Sequence, residues 1–160
     1  MIRVLFVCHG NICRSAMAKY MMRKFAADEG LQDKIYIDSA ATSTEEIGEP
    51  VYPPARRKLS EHGISCDGHS ARQITAGDYD RFDLIILMDY NNMRNIKHII
   101  REDPDNKISM MMDYTDRPGE VADPWYTGDF DATWKDLEEG CQGLLKYICD
   151  SQAKIHPILM

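Results

Sequence analysis

The stretch from Ile2 to Met22 constrains the fold more than any other, because an apolar run, a short loop and a helical pattern follow one another without a break. Ile2, Val4, Leu5, Phe6 and Val7 are nearly continuous and rich in β-branched and aromatic side chains. That composition predicts a strand buried on both faces, the kind found inside a parallel sheet. Ala16 to Ala27 is dense in strong helix formers, and Ser15 reads as the helix N-cap. A strand that turns tightly into a helix N-terminus makes an anion site. The N–H groups of the loop point inward, and the helix dipole adds about +0.5 charge.

The connecting loop is Cys8-His9-Gly10-Asn11-Ile12-Cys13-Arg14-Ser15. Its first position is a thiol and its seventh a guanidinium. Arg14 can grip two oxygens of a phosphate bidentately, with Cys8 beneath the phosphorus. The groups that bind an anion also favour a thiolate, so Cys8 is expected to be nucleophilic at neutral pH. Gly10 is expected to supply backbone geometry closed to other residues. Asn11 is suited to a left-handed conformation and to fastening the loop through its amide. His9 reads as a rim residue. The remaining N–H groups, from His9 to Ser15, are the expected phosphate donors.

A bare Cys-x5-Arg pattern is a weak signal, and it recurs at Cys66-Asp67-Gly68-His69-Ser70-Ala71-Arg72. The second match fails on physical grounds. Asp67 would repel an anion, no apolar strand precedes it, and no sustained helix follows Arg72.

Val7 to Ser15 resembles the phosphate loop of the low-molecular-weight protein tyrosine phosphatases, and Asp123-Pro124-Trp125 resembles that family's general-acid motif. Asp38-Ser39-Ala40 and His69-Ser70-Ala71-Arg72-Gln73 are similar to further segments of it, so the resemblance spans nearly the whole chain. It implies a four-stranded parallel sheet in the order 2-1-3-4 with helices on both faces. It also implies hydrolysis of phosphotyrosine through a phosphocysteine on Cys8, with Arg14 on the phosphate and Asp123 as acid and base. Ser39 and His69 match family residues that buttress the loop asparagine, and Ser15 could also donate its hydroxyl to Cys8. Neither a cofactor nor a metal is implied. Phosphotyrosine proteins are the expected substrates, with inorganic phosphate or other oxyanions as competitors.

The rest of the site is legible in outline. A leaving phenolate needs a proton, and the polar loop Asp113–Asp129 offers Asp113, Asp116, Glu120, Asp123 and Asp129. Asp123 is favoured because Pro124 stiffens the chain after it, while Trp125 and Tyr126 can shield its carboxyl and wall an aromatic ring. Tyr52 and Ile12 complete that expected wall. Many relatives carry an aromatic near Thr44-Glu45-Glu46-Ile47; here the segment is acidic, and Glu45 is expected on the cleft rim. Phosphoarginine-directed relatives carry threonine where Ile12 stands, so Ile12 favours a flat aromatic ring. Asp89 follows a strand and can face the site or cap a helix. Cys13 lies five residues after Cys8 and is expected to trap it as a disulfide after oxidation.

Length and charge exclude other classes. The 160 residues suit one domain, 1–160, and no apolar run approaches the ~20 residues of a membrane span. A net charge of −7 argues against a nucleic-acid partner. Five cysteines without Cys-x2-Cys spacing fit a reducing cytoplasm rather than a disulfide framework. An arsenate-reducing relative would need relay cysteines after the third strand, and none lies between Met88 and Asp123. A phosphotyrosine-binding module with a dead site would not need nucleophile, arginine and acid together.

Further strands are expected at Lys34–Ala40, Phe82–Met88 and Lys107–Met111. Helices are expected from Pro54 to Glu61, from Thr75 to Phe82 with Thr75 as cap, from Asn91 or Asn92 to Glu102, and from Asp131 to Ile148. Strands alternating with helices predict a covered parallel sheet with the loop at a crevice beyond the first strand.

Overall fold

The computed structural model describes residues 1–155; residues 156–160 of the expected domain lie outside the described residues. Strand β1 (Ile2–Cys8) leads into helix α1 (Arg14–Asp28), and strand β2 (Ile35–Ala41) into helix α2 (Pro53–Glu61). Next come the single turn α3 (Asp78–Arg81), strand β3 (Leu84–Leu87), helix α4 (Tyr90–Ile96) and strand β4 (Ile108–Met110). A 3₁₀ turn (Met111–Tyr114), the single turn α5 (Pro124–Thr127) and the long helix α6 (Phe130–Ile155) complete the fold.

The four strands form one parallel sheet in the order β2-β1-β3-β4. β1 is central because both its neighbours pair with it: Val4 faces Ile37 on one side and Leu84 on the other. Val4, Leu5, Phe6 and Val7 are all completely buried, as their unbroken apolar pattern requires. Successive side chains point to opposite faces, so Val4 and Phe6 join Met17, Met21, Leu137 and Leu144 in one core beneath α1 and α6. Leu5 and Val7 join Ile74, Phe82 and Ile96 in the other. Burying a side chain such as Phe6 contributes roughly 1.5–3 kcal/mol. Two cores on one sheet hold the carboxyl end of β1 rigidly, and the functional loop hangs from that end.

Three local expectations are corrected. Helix α4 is capped by Asp89, not by Asn91 or Asn92, and it stops at Ile96 rather than Glu102. Asn91, Asn92 and Asn95 are poor helix formers, and the β-branched pair Ile99-Ile100 follows. Thr75 caps nothing; its N–H donates to the Asp78 carboxylate, and only Asp78–Arg81 is helical. The Asp113–Asp129 stretch contains α5 and the end of the 3₁₀ turn, so it is less irregular than its polar composition suggests.

No helix of the described residues is long and apolar enough to cross a membrane.

Candidate active site

The loop between β1 and α1 turns its carbonyls outward. The carbonyl of Cys8 accepts from Thr42 N–H, that of His9 from Ser43 and that of Ile12 from Tyr52, all within 3.1 Å. The Asn11 carbonyl accepts from His69 Nε2 at 2.7 Å, and the Cys13 carbonyl from Met17 N–H at 2.8 Å. Among the described residues, none of the backbone N–H groups of His9 to Ser15 donates to a protein acceptor. Such a loop keeps its donors for a bound anion.

Two sequence expectations about the loop backbone change. Gly10 has no positive φ; the left-handed residue is Asn11, with φ +61°. The space beside Gly10 is tight instead: a Cβ there would lie 3.2 Å from Glu46 Cγ, which would have to shift slightly. Ser15 is not the helix cap. Cys13 occupies that position without a side-chain bond, and Ser15 lies inside the first turn.

The Ser15 hydroxyl serves the loop instead. It lies 3.0 Å from Cys8 Sγ and accepts from Asn11 Nδ2 at 2.9 Å. With the amide donating into it, its own proton is left for Cys8 or for the Ala40 carbonyl at 3.5 Å. Asn11 is completely buried, and its side-chain oxygen accepts from Arg72 N–H at 3.3 Å. Among the described residues Ser39, expected to buttress Asn11, makes no hydrogen bond through its buried hydroxyl; His69, also expected there, holds the Asn11 carbonyl, and Arg72 holds its side chain. Both come from the Cys66–Arg72 segment, so the second Cys-x5-Arg match packs against the loop of the first.

Arg14 is 4% exposed, and its guanidinium meets three residues from two segments. Nη2 donates to Asp89 Oδ2 at 2.8 Å and to Asp123 Oδ2 at 3.3 Å, while Nη1 donates to the Val121 carbonyl at 3.1 Å. Burial works against its charge, but Cys8, Asp123 and Asp89 around it hold Arg14 above its ordinary basicity. Burial, followed by the neighbouring Cys8, pushes the Cys13 thiol up to about 12. Both loop thiols are buried, and Cys8 has the Ser15 hydroxyl beside it.

Asp123 is fixed from several sides. Its Oδ1 accepts from Trp125 N–H at 3.0 Å and caps α5. Val121 N–H donates to the Met88 carbonyl at 2.9 Å, tying the segment to the end of β3. Ala122 N–H donates to Asp136 of α6 at 2.9 Å, and Thr133 Oγ1 donates to the Ala122 carbonyl at 2.8 Å. Arg117 braces Asp136 and Glu139 from outside. Three of the four competing carboxylates are otherwise engaged: Asp113 by Met110 N–H, Glu120 by Tyr90 N–H and Asp129 by Ala132 N–H. Sequence reasoning missed Arg72, Val121, Thr133 and Asp136, since each acts through contacts distant in the chain.

The expected aromatic wall is brought together in part. Tyr52 packs against Trp125 at 5.1 Å and against Phe130 at 6.5 Å between ring centroids, and its N–H holds Ile12. Tyr126 is 86% exposed and stacks on no ring among the described residues. Glu45 pairs with His9 at 2.9 Å on the rim, while Glu46 is the acid that packs against Gly10.

A family model described as low molecular weight phosphotyrosine protein phosphatase matches residues 3–154. The chain is 41% identical over 150 residues to the low molecular weight protein-tyrosine-phosphatase YfkJ of Bacillus subtilis, covering 92% of this chain and 96% of that protein. A crystal structure of YfkJ superposes with a TM-score of 0.91 at 40% identity, over 95% of this chain and 97% of the other. The low molecular weight phosphotyrosine protein phosphatase of Gallus gallus is 38% identical over 148 residues, covering 89% and 93%. A crystal structure described as a Drosophila arginine phosphatase superposes with a TM-score of 0.83 at 28% identity, over 92% and 98%.

Proposed function

The chain belongs to the low molecular weight phosphotyrosine protein phosphatase family, whose members are cysteine-dependent hydrolases, and we propose that it hydrolyses phosphotyrosine in proteins by two displacements on Cys8. The phosphate binds in the loop, held by the N–H groups of His9 to Ser15 and by Arg14. The Cys8 thiolate attacks phosphorus, the aryl C–O–P bond breaks on its phosphorus side, and Asp123 gives its proton to the departing phenolate. Water then attacks the phosphocysteine while the Asp123 carboxylate takes a proton from it. Phosphate is released, and the Cys8 thiolate leaves against the Ser15 hydroxyl. Fixed donors on the equatorial oxygens supply most of the rate, because they need no reorganisation as the loose transition state forms.

The observation that carries this reading is the bond between Arg14 and Asp123 at 3.3 Å, which sets an acid from the far end of the chain beside the loop that bears Cys8. Acid quenching during turnover of p-nitrophenyl phosphate is expected to leave one phosphoryl group on the peptide carrying Cys8. Cys8→Ser is expected to bind phosphate without turnover. A Cys8→Ser protein that keeps most activity would remove the mechanism.

Ile12, Tyr52, Trp125 and Tyr126 form the substrate-facing wall in this reading, with His9 and Glu45 on its rim. Cys8 and Cys13 also form a redox pair. Peroxide converts the Cys8 thiolate to a sulfenic acid with loss of hydroxide, and the Cys13 thiol condenses with it to a disulfide with loss of water. The free cysteines of the described structure suit a reducing cytoplasm.

A further inference from the structure

We propose that Lys19 is a positioning residue for the phosphate loop: as a pure donor it fixes His69 as the neutral Nε2–H tautomer, and His69 thereby holds the carbonyl of Asn11. This rests on the reading of that loop as the catalytic one.

Lys19 and His69 are each only 6% exposed. Lys19 Nζ lies 2.7 Å from His69 Nδ1, and His69 Nε2 lies 2.7 Å from the Asn11 carbonyl oxygen. A carbonyl oxygen only accepts, so Nε2 carries the hydrogen. An ammonium only donates, so Nδ1 presents a bare lone pair. The two contacts demand the same tautomer from opposite ends of the ring. The ring of Tyr20 closes the site, 4.7 Å from Lys19 Nζ and edge-on to His69 at 6.1 Å. The other charged or titratable groups bearing on the pair are Arg23, Asp38, Arg72 and Cys66.

The electrostatics agree with the geometry. Burial, with Arg23 and Arg72 nearby, brings Lys19 down to about 8. Burial also holds His69 below the ordinary histidine value, against the pull of the Asn11 carbonyl, and Lys19 lowers it further. An imidazolium would set a second N–H against the ammonium, so His69 stays neutral as the pH falls. Nδ1 therefore stays bare, and the ring offers Asn11 its Nε2–H without exchanging tautomers. That matters because Asn11, at φ +61°, is the left-handed corner of the loop, and His69 holds its carbonyl there. Lys19 acts at one remove, through a ring that touches the loop only on its outer side.

Long-range proton–nitrogen correlation spectra of the histidine rings in the full chain test this. In the native protein His69 is expected to show a bare Nδ1 and a protonated Nε2 between about pH 5.5 and 7.5. Lys19→Met removes the donor. Its His69 is expected to titrate, and affinity for inorganic phosphate and kcat/KM should each fall by roughly tenfold, the order that supporting groups contribute. Lys19→Glu, which only accepts, should give a doubly protonated ring and recover phosphate affinity, because Nε2–H is restored. A native ring protonated at Nδ1, a native ring that titrates normally, or a Lys19→Met protein with unchanged ring state and phosphate affinity would each overturn the proposal. The native spectrum decides even if Lys19→Met fails to fold. Absence of aryl phosphate turnover by the native protein would strike the proposed function instead, and leave the ring result standing.

Discussion

Arg14 and Asp89 lie 2.8 Å apart, and the same Asp89 carboxylate caps helix α4 through its other oxygen, accepting from Asn92 N–H at 2.7 Å. One side chain thus ties Arg14 to a helix 75 residues away in the chain. Asp89→Ala removes both bonds, and kcat/KM is expected to fall at least tenfold as Arg14 loses its anchor, with about 1 kcal/mol of stability lost from the cap. Asp89→Asn has one oxygen for two donors and should fall between. Urea unfolding and steady-state kinetics on both variants separate the two effects, and equal activity in Asp89→Ala would show that Arg14 needs no anchor.

Asp136 holds Ala122, the residue before Asp123. If Asp123 is the acid, Asp123→Asn should lose about 10²- to 10⁴-fold on phenyl phosphate and much less on p-nitrophenyl phosphate, whose leaving group needs no proton. Asp136→Ala should show the same leaving-group pattern at smaller size, because it misplaces the acid without removing it. A loss independent of leaving group in Asp123→Asn would move the acid role to another carboxylate.

Ile12 offers only an apolar face to a substrate, and its carbonyl is fixed by Tyr52. A guanidino group packed against it would lose hydrogen bonds at a cost of about 1–3 kcal/mol. Phosphotyrosine peptides should therefore be preferred over phosphoarginine peptides by at least about tenfold in kcat/KM, and Ile12→Thr should narrow the gap. Equal rates on both native substrates would favour the activity named for the Drosophila neighbour.

Cys13 remains a thiol at neutral pH, since burial pushes it up to about 12. The attacking form is the thiolate, whose fraction grows about tenfold per pH unit below that value. Trapping of oxidised Cys8 by Cys13 should accordingly be slow near pH 7 and speed up as pH rises. Recovery by a dithiol after a fixed peroxide dose should increase from about pH 6 to 9, and Cys13→Ser should recover little at any pH. Peptide maps joining Cys8 to Cys66, Cys141 or Cys149 would rule the pair out.

Gly143 sits where α6 crosses the 3₁₀ turn, and a Cβ there would overlap the carbonyl of Tyr114, while one at Gly140 would strike Met111. Alanine is the better helix former by about 1 kcal/mol, yet a backbone carbonyl cannot step aside as a flexible side chain can. Gly143→Ala is expected to lower stability by about 2 kcal/mol or more in denaturant unfolding. Gly140→Ala should cost less if the Met111 side chain swings away.

The sequence alone determined what depends on neighbours along the chain. The unbroken apolar run from Val4 to Val7 required burial on both faces and hence a central parallel strand. The adjacency of Cys8, Asn11, Arg14 and Ser15 placed thiol, left-handed turn, guanidinium and hydroxyl within one loop, because eight residues cannot spread far. The dipeptide Asp123-Pro124 singled out the proposed acid by local stiffness.

Tertiary structure decided whatever depends on which distant backbone groups are free. Ser15 resembles a cap in sequence, but the folded loop offers its hydroxyl Cys8 and Asn11. The family resemblance offered Ser39 and His69 as partners for Asn11; only the pairing of Ala41 with the Arg72–Ile74 segment brings in Arg72. Lys19 reads as one more polar residue on a helix, and nothing local reveals that it points inward at a histidine fifty positions away. Such contacts carry no periodicity and no spacing rule. They arise from the sheet order, which brings Asn11, His69, Asp89 and Val121 around one arginine and one thiol.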